Sequence, residues 1–144
     1  MTGAYLLDTN VLSELMRETP CRAVMAWFVQ QPQATMKTTA ITQAEIWTGI
    51  AMLPAGKRRD ALAQAAEALF AAEWAGYCLP FDTLAATHFA LVRAQRMRAG
   101  RPVATEDAQI AAIALAHGLP LVTRNTKDFE GIDQLTLVNP WEAR

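Results

Sequence analysis

No run in this 144-residue chain approaches the ~20 consecutive apolar residues that a membrane-spanning helix requires. The opening Met1-Thr2-Gly3-Ala4 has no basic stretch and no long apolar run after it, so no secretion signal is expected. Cysteine is scarce. Cys21 and Cys78 lie far apart and match no metal-ligand spacing, so buried free thiols in a reducing cytoplasm are the expectation. Excess positive charge is missing too: 13 basic residues stand against 14 acidic ones, for a net charge of −1. This argues against nucleic-acid binding by bulk charge. It leaves room for an acidic site ringed by basic patches, for which Lys57-Arg58-Arg59 and the set Arg93, Arg96, Arg98, Arg101 are candidates. Each of those also reads as a solvated helix face. There is no Gly-rich phosphate loop and no G-x-S-x-G elbow. The two histidines, His88 and His117, have no neighbouring nucleophile and no ligand spacing, so the chemistry is not expected to depend on histidine. Repeats, low-complexity tails and interior linkers are absent, which with the length implies one domain over residues 1–144.

What the chain does have is apolar content, at 52%, enough for a real core. Residues 4–8 read as a short buried strand ended by Asp8-Thr9-Asn10. A helix over Val11–Arg17 follows, with Thr9 or Asn10 as its cap. A second helix comes after Pro20, with Val24, Trp27 and Phe28 as its stripe. Thr35–Thr39 reads as a strand and Thr42–Met52 as a helix broken by Pro54-Ala55-Gly56. Ala61–Ala75 is an Ala-rich helix, and residues 77–81 form a short strand or extended link. Asp82 or Thr83 caps a helix to about Ala99, ended by Gly100; Thr105 caps the next, which stops at Gly118. Strands over 119–123 and 135–138 complete the chain. Alternating strands and helices imply an α/β fold: three layers, with a mostly parallel central sheet of four to five short strands covered on both faces.

Three carboxylates stand where such a fold would converge. Parallel α/β sheets bind ligands beyond the carboxyl ends of their strands. Asp8 ends the first strand, Glu45 lies near a helix start, Asp107 is in the first turn of its helix, and Thr123-Arg124-Asn125 follows another strand. Carboxylates are costly to bury unless paired or bound to a cation, so acids gathered in an apolar frame point to a divalent metal, most naturally Mg²⁺ or Mn²⁺. Each acid has a plainer reading. Asp8 suits a helix cap, Glu45 a capping-box partner of Thr42, and Asp107 a first-turn acid favoured by the helix dipole. Glu106 competes with Asp107, and periodicity does not choose between them.

Several motifs resemble one family. Leu6-Leu7-Asp8-Thr9-Asn10-Val11-Leu12-Ser13-Glu14-Leu15 resembles the opening of PIN-domain proteins, especially the VapC-type toxins of bacterial toxin–antitoxin pairs. The stretch Thr42–Ile50 around Glu45 is similar to that family's second acidic motif, and Glu106–Ala114 to its third. In the third motif the family's acid stands three residues before Ile-Ala-Ala, which selects Asp107 over Glu106. Gly118–Phe129 looks like the fourth motif, and the ending Val138-Asn139-Pro140-Trp141 like the FitB-like branch. Together these cover nearly the whole chain. Some members carry an acid where this chain has Asn125, which brings no full negative charge; Asp128 is a possible contributor and equally an ordinary loop acid.

The resemblance implies a PIN-like fold and a metal-dependent ribonuclease, the toxin of a toxin–antitoxin pair. Asp8, Glu45, Asp107 and Asn125 would be catalytic, and the first three would hold Mg²⁺ or Mn²⁺. One ion, or two roughly 3.5–4 Å apart, would activate water and stabilise the leaving oxygen. Asn10 and Thr123 would orient the acids. Arg124, or the Arg93–Arg101 set, would hold flanking phosphates of the RNA. Asn10 and Thr123 also read as partners in local turn hydrogen bonds. The implied partners are RNA and a cognate antitoxin, in a homodimer or a higher hetero-oligomer, in the cytoplasm and away from membranes. Leu12, Leu15, Met16, Trp27, Phe28, Trp47 and Met52 supply apolar surface for a partner groove or, equally, for core. A catalytically silent PIN-like module that binds RNA or protein is the alternative. A phosphatase forming a phospho-aspartate is a more distant one, since it expects a second Asp where Asn10 stands.

Overall fold

A computed structural model describes residues 3–32, 34–73 and 77–142. Five strands form the sheet: β1 (Ala4–Leu7), β2 (Thr35–Thr39), β3 (Cys78–Leu79), β4 (Leu121–Val122) and β5 (Leu137–Val138). Their order is β3-β2-β1-β4-β5, and every neighbouring pair is parallel. The helices are α1 (Thr9–Leu15), α2 (Arg22–Val29), α3 (Ala40–Ala51), α4 (Lys57–Ala68), α5 (Thr83–Arg98) and α6 (Thr105–His117). None is long and apolar enough to cross a membrane.

The three-layer form follows from the pleat of the central strand. Successive side chains on a strand point to opposite faces. Leu6 packs with Ala108, Ile110 and Ile113 of α6 and Val92 of α5, while Leu7 packs with Val11 and Leu12 of α1, Trp27 of α2 and Ile46 and Ile50 of α3. Leu121 and Val122 divide the same way on β4. A strand buried on both faces reads as an unbroken apolar run, as Leu6-Leu7 and Leu121-Val122 do. Because β2, β1 and β4 are adjacent and parallel, their carboxyl ends open side by side, and α3, α1 and the segment after Thr123 all start from one edge.

Several boundaries differ from expectation. Asp8 itself caps α1, its Oδ1 accepting from Thr9 N–H at 2.8 Å, so Thr9 and Asn10 fall in the first turn. Thr39 caps α3, its Oγ1 accepting from Thr42 N–H at 3.0 Å; α3 therefore starts two residues before Thr42, which is buried. Thr105 is the first residue of α6, not its cap. Helix α4 starts at Lys57 and its α-form ends at Ala68, where a π-helical turn over Leu69–Glu73 follows. The expected end at Ala75 lies outside the described residues. Asp82 caps α5 through Ala85 N–H, and Gly118, at φ 63°, ends α6 in the left-handed region that glycine tolerates.

Of the set Arg93, Arg96, Arg98 and Arg101, three are engaged within the fold, and Arg98 at the end of α5 is exposed. Arg96 is only 5% exposed, and its guanidinium donates to the carbonyls of Arg101 (2.8 Å), Asp128 (2.9 Å) and Glu130 (3.2 Å). It pins the loop after β4 and is not free to hold a phosphate. Arg101 pairs with Glu130 at 3.6 Å, and Arg93 lies over the Phe89 ring and donates to Thr105. Both cysteines are free and half-buried, with the Cys78 thiol donating to Gln43 Oε1 at 3.3 Å.

Candidate active site

Asp8, Glu45, Asp107 and Asn125 line one concavity of about 540 Å³ at the carboxyl edge of the sheet, together with Thr9 and Asn10. Ser13, Glu14, Arg17, Arg124 and Trp141 line the same space. A recess of about 180 Å³ at the opposite edge, beside Gly118, Pro120 and Thr136, has no titratable group in its lining. Thr123 is fully buried beneath the concavity. Glu106 and Asp128 are exposed and stand outside its lining.

The acids are held by short-side-chain partners on neighbouring segments. Asp8 is 4% exposed. Its Oδ2 accepts from Thr123 Oγ1 at 2.7 Å and from Asn10 Nδ2 at 3.3 Å, while Oδ1 accepts from Thr9 N–H. Thr123 Oγ1 also accepts from Asn125 N–H at 3.1 Å, so one hydroxyl ties the loop after β4 to the carboxylate after β1. Glu45 is steadied differently. Thr9 Oγ1 donates to Glu45 Oε1 at 2.6 Å and lies 3.0 Å from Thr42 Oγ1, which is 3.3 Å from Thr39 Oγ1. A carboxylate only accepts, so Thr9 spends its single proton there and takes one from Thr42; the buried threonines form a directed relay that ends at Glu45.

The electrostatics are those of acids without a counter-charge. Burial raises the Asp8 carboxyl above the ordinary aspartate value; the hydrogen bonds from Thr123, Thr9 and Asn10 oppose this, and the charge of Glu45 adds to it. Asp107 is pushed up to about 6, first by burial and then by the charges of Asp8, Asp128, Glu45 and Glu106. Among the described residues no salt bridge reaches Asp8, Glu45 or Asp107. An all-oxygen donor set of mutually repelling carboxylates, with no sulfur or imidazole in the lining, fits a hard divalent cation. The three carboxylates face a shared space, but among the described residues no group of three or more acidic, histidine or cysteine side chains is drawn close enough together to hold a metal ion.

Sequence reasoning passes over Glu14, Arg17 and Trp141 as lining residues. Glu14 is buried, pairs with Arg17 at 3.2 Å and accepts from Cys21 N–H at 2.8 Å. A signal was available, since Asn10, Ser13 and Glu14 recur at three- and four-residue intervals on one face of α1, and Arg17 follows at the same interval just past its end. Trp141, reached only after a long excursion through β5, had no local signal.

Comparison with known proteins agrees with this architecture. The PIN domain family model matches residues 5–135. The VapC ribonuclease Y4jK of Sinorhizobium fredii is 43% identical over 137 residues, covering 95% of this chain and 97% of that protein. Toxin FitB of Neisseria gonorrhoeae is 38% identical over 136 residues, covering 94% and 97%. The solved structure of FitAB bound to an IR36 DNA fragment superposes with a TM-score of 0.86 at 35% identity, covering 100% of this chain and 98% of that one. With its sheet order, the concavity at its carboxyl edge and this match over most of its length, the chain belongs to the PIN-domain family.

Proposed function

We propose that this protein is a Mg²⁺- or Mn²⁺-dependent endoribonuclease, the toxin of a toxin–antitoxin pair, hydrolysing phosphodiester bonds of RNA. The observation that carries the reading is the gathering of Asp8, Glu45 and Asp107 around one open concavity, with the Asp8 and Asp107 carboxyls raised above their ordinary values and no salt bridge to any of the three among the described residues. Its relatives include proteins named ribonucleases.

Asp8, Glu45 and Asp107 would hold the ion in this scheme, and Asn125, in the same lining, would contribute a neutral amide. When bound, the ion supplies an acidified water and neutralises charge on the phosphoryl oxygens. The protein's own share is orientation. Thr123 and Asn10 fix the Asp8 carboxylate, and the threonine relay fixes Glu45. Asp107, pushed up to about 6, would have to be in its carboxylate form to serve as a ligand.

A cognate antitoxin is the proposed partner, with self-association of the toxin. A similar solved structure from Klebsiella pneumoniae is a toxin–antitoxin complex by name. Beside the acidic concavity runs an apolar groove of about 280 Å³ lined in part by Met16, Ile46, Ile50 and Leu62, and it shares Thr9, Ser13, Arg17 and Glu45 with the acidic space. Met52 is 80% exposed, whereas Leu12 and Trp27 belong to the core. A segment lying along that groove would reach the acidic space at Glu45, a position from which an antitoxin would occlude the site.

The test is incubation of antitoxin-free protein with structured RNAs in Mg²⁺, in Mn²⁺ and in EDTA, beside an Asp8→Ala variant. Metal-dependent cleavage that the variant loses is the expected result. A folded, metal-loaded protein that cleaves none of them would point instead to the silent binding module.

A further inference from the structure

An acidic concavity is a poor receptor for a polyanion, so some cation at its rim must meet the strand. Two arginines line the space, Arg17 and Arg124. Arg17 is neutralised locally by Glu14 at 3.2 Å. Arg124 is exposed and makes no salt bridge among the described residues; its guanidinium lies 5.0 Å from the centroid of the Trp141 ring. Stacking on an aromatic face engages the face of a guanidinium and leaves its N–H edge open for a phosphate.

The backbone around this pair is built, not incidental. Arg124 N–H donates to Asn10 Oδ1 at 3.1 Å, and Asn10 Nδ2 reaches Asp8 Oδ2 at 3.3 Å. One amide therefore ties the position of Arg124 to the carboxylate. On the other side Asn139 Nδ2 donates to Arg124 C=O at 3.4 Å, and Asn139 Oδ1 accepts from Trp141 N–H at 3.0 Å. A single Asn side chain thus ties the two halves of the stack together. The rival set Arg93, Arg96, Arg98 and Arg101 lies outside the concavity; Arg96 is buried on loop carbonyls, Arg101 pairs with Glu130, and Arg98 is exposed.

We propose that Arg124, stacked on Trp141 and tied through Asn10 to Asp8, is the residue that grips a backbone phosphate of single-stranded RNA beside the scissile bond, with Trp141 as its positioning residue. This rests on the ribonuclease reading for the identity of the strand. Pre-organisation is the point of the stack: a long side chain held flat on an aromatic ring loses less freedom on binding.

The experiment measures binding of a short, labelled, mixed-sequence single-stranded oligoribonucleotide across a salt series, with Ca²⁺ in place of Mg²⁺ or Mn²⁺ to hold cleavage back. Loss of one phosphate contact reduces the slope of log affinity against log salt by about 0.7. Arg124→Gln is expected to show that reduction, and Arg93→Gln to keep the wild-type slope. Trp141→Leu is expected to weaken binding about two- to fivefold, the worth of a cation–π contact, and Trp141→Phe to restore most of it. An unchanged slope in Arg124→Gln, an equal reduction in Arg93→Gln, or no binding by the wild type would overturn the proposal. The two readings fail separately. Cleavage in Mn²⁺ without the slope change leaves the nuclease and removes the arginine; the slope change without cleavage does the reverse.

Discussion

At the residue scale, Asp8 and Asp107 illustrate opposite ways of managing a carboxylate. Asp8 is nearly enclosed, and its partners are neutral donors; the shortest is Thr123 Oγ1 at 2.7 Å. Thr123→Val keeps the shape and removes the donor. Metal affinity should fall about 10- to 100-fold, as when an outer partner of a ligand is lost. Calorimetric titration with Mn²⁺ reads this directly, and an unaltered affinity would show that Thr123 serves only the loop. Asp107 is managed by leaving it uncompensated. Its folded pKa of about 6 stands above its ordinary 3.8, so the folded state binds the proton more tightly than the unfolded chain does. Stability from this group is complete below 3.8 and declines as pH rises through about 6, after which it is flat. Asp107→Asn should therefore stabilise the metal-free protein above about pH 7 and change little near about pH 4. Thermal melts in EDTA across that range check it; equal effects at both ends would place the cause outside titration. Asp8 is legible in the sequence because a strand end announces it, whereas Asp107 shares the first turn of α6 with Glu106 and only the family resemblance separates the two. Trp141 is not legible there, because its contact with Arg124 joins residues separated by the whole of β5.

At the element scale, the gaps between reading and structure have local causes. The α3 start offers several threonines in a row, and which of them caps depends on where β2 stops, which is set by pairing with β1 and β3. The first turn of α4 is Lys57-Arg58-Arg59-Asp60, which carries no apolar periodicity, so the helix is visible only from Ala61 onward. The α5 arginines look alike in sequence, yet Arg96 faces inward and Arg98 outward. That difference is measurable. Arg96→Ala removes the donor for three loop carbonyls and should cost about 2–3 kcal/mol, whereas Arg98→Ala should stay within about 0.5 kcal/mol. Urea denaturation separates the two. Similar midpoints would mean that water replaces the guanidinium on those carbonyls at little cost.

At the scale of the whole molecule, the parallel sheet ties the site to the fold. Strand order could not be read from the sequence, because parallel pairing joins Leu6 to Leu121 and Tyr5 to Met36 across long separations. Once β2, β1 and β4 lie side by side, their acids and threonines meet, and the site cannot exist in the unfolded chain. Divalent metal should therefore bind the native state alone and stabilise it. At a hundredfold excess over the dissociation constant the gain is about 2.7 kcal/mol, a rise of roughly 5–10 °C for a chain of this size. Asp8→Asn separates site from fold. The amide removes a buried charge held without a protein counter-ion, so the metal-free variant should melt no lower than the wild type, yet it should lose the metal-dependent rise. Calorimetric melts in EDTA and in Mn²⁺, matched for ionic strength with KCl, decide it. A rise that persists in Asp8→Asn would mean that the ion stabilises the protein from somewhere other than the carboxyl edge of the sheet.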